Sequence, residues 1–139
     1  MIKELVKDTT ILSTRCERAT PEDAALAQDL IDTLLSLEDG ACLAANQIGV
    51  TKAVAVYLDD DREPHVLYNP KFLFGVRASK VIEGCLTLDE PSKVTRYAKV
   101  KVSYDELVDG AFKARKRDFE GWTGQMVQHM IDHCNGKLV

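Results

Sequence analysis

Two histidines four residues apart stand near the C-terminal end, in Gln128-His129-Met130-Ile131-Asp132-His133. On a helix that spacing sets His129 and His133 about 40° apart around the axis and about 6 Å along it, a relation in which both imidazoles can grip one metal ion. Two neutral rings hold an ion poorly, and Glu83-Gly84-Cys85-Leu86-Thr87 offers a third donor in Cys85. One Cys and two His, with a fourth position open to water, is a catalytic rather than a structural ligand set. Two plainer readings stay open beside it. The histidine spacing also arises by chance, and the commonest fate of a cysteine is to be a small buried hydrophobe. A third segment, Gly40-Ala41-Cys42-Leu43-Ala44-Ala45-Asn46-Gln47-Ile48-Gly49, sets a neutral amide inside an apolar stretch. A buried amide must find partners, so Gln47 either bonds backbone or donates to a ligand carbonyl.

The elements that must position these groups are readable in outline. Thr20 as N-cap, Pro21 at the first helical position and the acidic Glu22 and Asp23 open a helix over residues 21–38. Ala27, Leu30, Ile31, Leu34 and Leu37 form its core stripe, with Gly40 as the stop. The middle of the chain reads as strands: 53–58, a turn at Asp59-Asp60-Asp61, then 65–68, 72–76 and 100–104. Cys85 follows Gly84 at the end of a further strand over 80–82, where backbone can approach closely. Asp109-Gly110 is a hairpin turn that brings Phe112 back along the strand before it. The last element is a helix from about Trp122 to Cys134, closed by Asn135-Gly136. Trp122, Met126, Met130 and Cys134 give it one apolar stripe. The expected architecture is a single α+β domain over 1–139, with antiparallel strands wrapped around a buried C-terminal helix.

Composition narrows the function classes. The 139 residues are 45% hydrophobic and carry 18 Lys+Arg against 22 Asp+Glu, a net charge of −4. That suits one domain with a real core and gives no basic face for nucleic acid. The densest basic stretch, 113–117, alternates like a solvated edge strand. No apolar run reaches the roughly 18 residues of a membrane span, and the first residues do not begin a signal peptide, so neither a nucleic-acid nor a membrane partner is expected and the expected location is cytoplasmic. Cys16, Cys42, Cys85 and Cys134 are too scattered for a disulfide scaffold and are expected as thiols.

Taken together, the segments 43–49, 83–87 and 128–133 resemble, in order and spacing, the three motifs of the peptide deformylase family. Asn69-Pro70 and Arg96 add lesser matches, and the likeness covers nearly the whole chain. The resemblance implies an α+β fold around a metal-bearing helix and the removal of the formyl group from formyl-Met of nascent polypeptides. It implies that Cys85, His129 and His133 bind one divalent metal ion, iron(II) or zinc. It assigns Gln47 and the Leu86 backbone N–H to the oxygen of the formyl group, and sets Gly40, Cys42 and Gly84 along the peptide substrate. Glu83 and Asp132 orient ligands from behind.

Two positions depart from the family pattern. Its third motif is His-Glu-x-Asp-His, with the Glu as proton carrier, and here that position is Met130. A thioether cannot take or pass a proton, so activity is expected to be weak or lost unless Glu83, Asp89 or Glu90 substitutes. The family has Gly where this chain has Cys42, whose side chain intrudes on the substrate path or meets Cys85 near the metal. Two functions follow as expectations: a slow deformylase, or a pseudoenzyme that binds metal and formylated peptide N-termini without cleaving them.

Overall fold

The computed structural model describes residues 1–139. A short helix α1 (Thr9–Leu12) is capped by the Asp8 side chain, which accepts from Thr10 N–H at 2.8 Å. The N-cap reading at Thr20 holds in its chemistry: its hydroxyl accepts from Glu22 N–H while Asp23 accepts from Thr20 N–H at 2.8 Å. Pro21–Asp23 form a 3₁₀ turn, and the α-helix proper is α2 (Ala24–Ser36). It ends before the expected 38, because Leu37 turns to extended backbone. Gly40 does not supply a left-handed stop. A Cβ there would lie 2.9 Å from Leu34 Cδ1 and 3.0 Å from Leu37 Cβ, so the glycine is required by close packing beneath the end of α2.

Five strands make one continuous antiparallel sheet in chain order: β1 (Cys42–Ala44), β2 (Val54–Leu58), β3 (Pro64–Cys85), β4 (Leu88–Val108) and β5 (Ala111–Glu120). The three segments expected at 65–68, 72–76 and 80–82 are parts of the single strand β3. Its pairing with β4 shifts between Tyr68 and Lys71 and again between Phe72 and Phe74, and Asn69 adopts a positive φ of 53° at the first shift. Each bulge inserts a residue and bends the strand. At the β4–β5 turn, Asp109 and Gly110 both take positive φ, as a two-residue hairpin turn requires. β5 is the sheet edge, and Lys113, Arg115, Lys116 and Arg117 on it are exposed, in keeping with a solvated edge.

β2 is buried along its whole length because both of its faces are covered. Val54, Val56 and Leu58 pack with Leu30 and Leu34 of α2. Ala55 and Tyr57 pack on the other side with Met126, Val127 and Met130 of the C-terminal helix α3 (Gly121–Cys134). α3 therefore lies between the arms of the bent sheet and touches every strand. Trp122 departs from the expected core stripe and is 59% exposed. Steps of four residues overshoot a helical turn by about 40° each, so a stripe so spaced has left the buried face after three steps.

Candidate metal centre

α3 delivers both imidazoles, and the β3–β4 hairpin delivers the thiol. His129 and His133 face each other with their Nε2 atoms 3.0 Å apart, and Cys85 Sγ lies 3.4 Å from His133 Nε2. The three donor atoms fall within 4.8 Å of one another. Both histidines are buried, at 7% and 1% exposure, while Cys85 is half-buried at the wall of a cleft.

Behind the donors stands a buried ionic cluster. His129 Nδ1–H donates to Glu83 Oε1 at 2.9 Å, which leaves Nε2 as the ring's free donor atom. Glu83 is gripped by both arms of the Arg96 guanidinium at 2.9 and 2.7 Å, and Gln125 donates to its Oε2 at 2.9 Å. Arg96 also donates to Asp132 at 2.7 Å, so one cation bridges the second and third motifs. Asp132 therefore acts on Arg96, and through it on Glu83, without touching an imidazole. Asn46 donates to the His133 carbonyl at 2.8 Å and ties the first motif to the same helix.

These contacts decide the charges. Burial pushes the Glu83 carboxyl up, but His129, Arg96 and Gln125 outweigh it and hold it down to about 2. Burial likewise raises the Cys85 thiol, while hydrogen bonds from His129, His133 and Thr87 bring it down to about 5. Burial lowers His129, and its bonds to Cys85 and Glu83 win, raising it to about 9, so a cation taken up at Nε2 would displace a proton there. The thiol is thus stabilised as a thiolate, the form in which it ligates a cation.

Of the alternatives left open by the sequence, Gln47 shows the backbone bond. Its Oε1 accepts from Ala44 N–H at 2.9 Å, and its Nε2 donates to Thr87 Oγ1 at 3.2 Å and faces Cys85 Sγ at 3.4 Å. The amide is thereby fixed with its N–H edge beside the thiolate. The cleft in front measures about 410 Å³, and Cys42, Gln47, Gly84, Cys85, Leu86 and His129 all line it, together with Trp122 and Gln125. Gly84 faces open space, where a Cβ would meet no atom within 4 Å, so close backbone approach is not what this glycine serves.

Not every expected site residue reaches the cleft. Gly40 packs under α2 and is absent from the wall. Met130 is fully buried in the apolar cluster between α3 and the sheet, and is likewise absent from the wall. Cys42 lines the cleft but stands outside the three-donor group; burial, with Cys85 and Glu83 nearby, pushes its thiol up to about 12. Among the carboxylates that could substitute as proton carrier, Glu83 is consumed by Arg96 and His129. Asp89 is 84% exposed and paired with Lys7 at 3.0 Å, and Glu90 is exposed. Sequence reasoning assigns no role to Gln125, although its position four residues before His129 puts it on the same face of α3.

The polypeptide deformylase family model matches residues 2–139. A peptide deformylase of Clostridium beijerinckii is 37% identical over 140 residues, covering 100% of both chains. Peptide deformylase 2 of Vibrio cholerae is 38% identical over 81% of this chain and 67% of its own. Among solved structures, a class I type b peptide deformylase from Acinetobacter baumannii superposes with a TM-score of 0.84 at 28% identity, covering 99% of this chain and 97% of that one. A Met-Ala-Ser-bound structure of the class I type b enzyme from the same organism gives 0.84 at 25% identity over the same shares. The chain belongs to the polypeptide deformylase family.

Proposed function

We propose that this deformylase homologue holds one divalent metal ion through Cys85, His129 and His133, binds formylated peptide N-termini in the adjoining cleft, and hydrolyses them weakly or not at all. The donor set fits a metal in size as well as in type. Tetrahedral zinc with the usual bond lengths puts two nitrogen ligands about 3.3 Å apart, and nitrogen and sulfur about 3.6 Å apart. The corresponding separations here are 3.0 and 3.4 Å. Iron(II) and zinc both suit one thiolate and two imidazoles. When bound, the ion supplies Lewis-acid polarisation and a lowered pKa for water at this point.

The chain's own groups then do the following. Glu83 fixes the His129 ring, and Arg96 fixes Glu83. Gln47, its Oε1 anchored on Ala44, presents N–H to a formyl oxygen, with the Leu86 N–H as the second donor; such donors stabilise charge that develops on that oxygen. The Met-Ala-Ser complex of the Acinetobacter relative supports a peptide N-terminus in this cleft.

What carries the reading of weak turnover is the burial of Met130 among apolar side chains, with Glu83 already committed and the neighbouring acids turned away. Met130 can neither accept a proton from attacking water nor return one to the leaving amine, an aid typically worth 10²–10⁴-fold, and the other carboxylate on the cleft wall, Asp39, is exposed to solvent. The test is deformylation of a formyl-Met peptide by iron-loaded protein kept from oxygen, since iron–thiolate sites oxidise readily. Met130→Glu, which restores the family's residue directly after His129, is expected to raise the rate at least about tenfold, provided the buried backbone there lets the carboxylate turn to the cleft. If Cys42 blocks the substrate path, the gain appears only with Cys42→Gly added. A wild-type rate equal to both variants would overturn the reading. Binding is checked separately: a methionine-like hydroxamate should raise the Tm of metal-loaded protein, and less so after Gln47→Ala.

A further inference from the structure

Two of the four cysteines line the cleft; the other two, Cys16 and Cys134, lie outside it. They lie near opposite ends of the chain, yet Cys16 N–H donates to the Cys134 carbonyl at 2.9 Å. With standard backbone dimensions, one such bond holds the two Cα atoms about 5–6 Å apart, inside the window of about 4.4–6.8 Å that disulfides span. A second contact shows the same close approach. A Cβ on Gly136 would lie 2.7 Å from the Ser13 carbonyl oxygen and 2.9 Å from Arg15 N, so the backbone leading to Cys16 rests directly on the residues that end α3. Cys134 is buried. Cys16 keeps partial exposure, which gives a small oxidant access to the pair from one side.

We propose that Cys16 and Cys134 are a dithiol pair that closes to a disulfide in the presence of a low-molecular-weight disulfide, clamping the N-terminal segment to the end of α3. The Cys16 thiolate attacks the small disulfide, forming a mixed disulfide and expelling one small thiolate. The Cys134 thiolate then attacks Cys16 Sγ and expels the second. Both protein thiols lose their protons, one protein S–S bond forms, and the oxidant's S–S bond ends as two thiols. The clamp sits one residue beyond His133, so it fastens the end of the helix that carries both imidazoles. Closing so long a stretch of chain restricts the unfolded ensemble strongly, and a Tm gain of about 10 °C is expected.

The test uses the intact protein, kept with zinc so that the cleft thiol is occupied, and oxidised glutathione. Burial pushes the Cys16 thiol up to about 11, so the incubation is run for hours at about pH 9. Peptide mapping without reductant should show the segments containing Cys16 and Cys134 joined. The Tm gain should vanish on adding dithiothreitol and be absent in Cys16→Ser. Mapping that leaves both cysteines free or separately glutathionylated would overturn the proposal, as would a joined pair with no gain in Tm. Either result leaves the deformylase reading untouched, since neither cysteine is a donor in the cleft.

Discussion

Two histidine–carboxylate pairs in this protein have nearly the same length and opposite surroundings. His129 and Glu83 meet at 2.9 Å with side chains 9% and 6% exposed; His65 and Asp59 meet at 2.8 Å with side chains 40% and 35% exposed. At the first pair Arg96, Gln125, a second imidazole and a thiol converge. At the second, the His65 ring stacks on Tyr57 and the carboxylate serves mainly to close the turn after β2. Distance alone therefore does not mark a centre. What distinguishes the first pair is that its charges have been removed from water and must be answered by one another, and that leaves the donor atoms with fixed directions.

The largest effect expected from this difference is at Arg96. Arg96→Met leaves Glu83 and Asp132 without the cation that bridges them, and removing one partner of a buried ion pair costs about 3–5 kcal/mol. Urea or thermal unfolding should register that loss in protein stripped of metal, where ligand binding cannot offset it. A Tm within a degree or two of wild type would mean that the cluster is wetter than its burial implies.

Next in size is metal retention. Cys85→Ala should release the ion, and His65→Ala, which removes the third histidine of the chain, should leave the metal content unchanged. A fall in metal on His65→Ala would make the exposed pair part of the centre. Glu83→Gln tests the support behind the donors. Gln keeps an oxygen for His129 Nδ1–H but loses the charge that Arg96 grips, and outer partners of this kind are worth about 10–100-fold in metal affinity. Competition with a chelating dye reads that change directly, and an unchanged affinity would reduce Glu83 to a purely structural role.

How far the sequence reveals these two regions follows from how each is built. Helical spacing puts His129 and His133 on one face, because a local period survives in any tertiary setting. The Glu83–Arg96 contact is not legible, since it depends on the β3–β4 register, in which Glu83 pairs with Ser92 and Arg96 with Ser79 four rungs away. The bulge between Tyr68 and Lys71 separates the first two expected segments, because an inserted residue exchanges the inward and outward faces and the alternation restarts. The break after 76 falls where Arg77 takes a positive φ of 58° and residues 77–80 are exposed, so burial gives no alternation to read there. Trp122 leaves its expected stripe for a different reason, the drift of a four-residue spacing around a helix of 3.6 residues per turn. Asp59-Asp60-Asp61 is readable as a turn because Asp59 closes it locally, through its own carboxylate and the nearest backbone.

That last point sets the smallest expected effect and the cleanest contrast with Glu83. Asp59 Oδ1 accepts from the Asp61 and Glu63 N–H groups, while Oδ2 meets His65. Asp59→Asn keeps an oxygen for the turn and removes only the charge, so it isolates the ion pair from the loop closure. His65 and the two backbone bonds hold the Asp59 carboxyl below its ordinary range. A depressed carboxyl contributes stability above its unfolded pKa of about 3.9, and loses it as pH falls through the folded value. Wild type should therefore exceed Asp59→Asn near neutral pH by no more than about 2 °C in Tm, the scale of an exposed pair. The two curves should merge at acid pH, once the carboxyl is protonated in both folded and unfolded chains. About 1 M salt should also bring them together at neutral pH, because screening acts on exposed charges over a few ångströms. Glu83→Gln should keep its deficit under the same salt, since little solvent enters that cluster. A salt-resistant loss at Asp59 as large as the one at Glu83 would remove burial as the property that separates the two pairs.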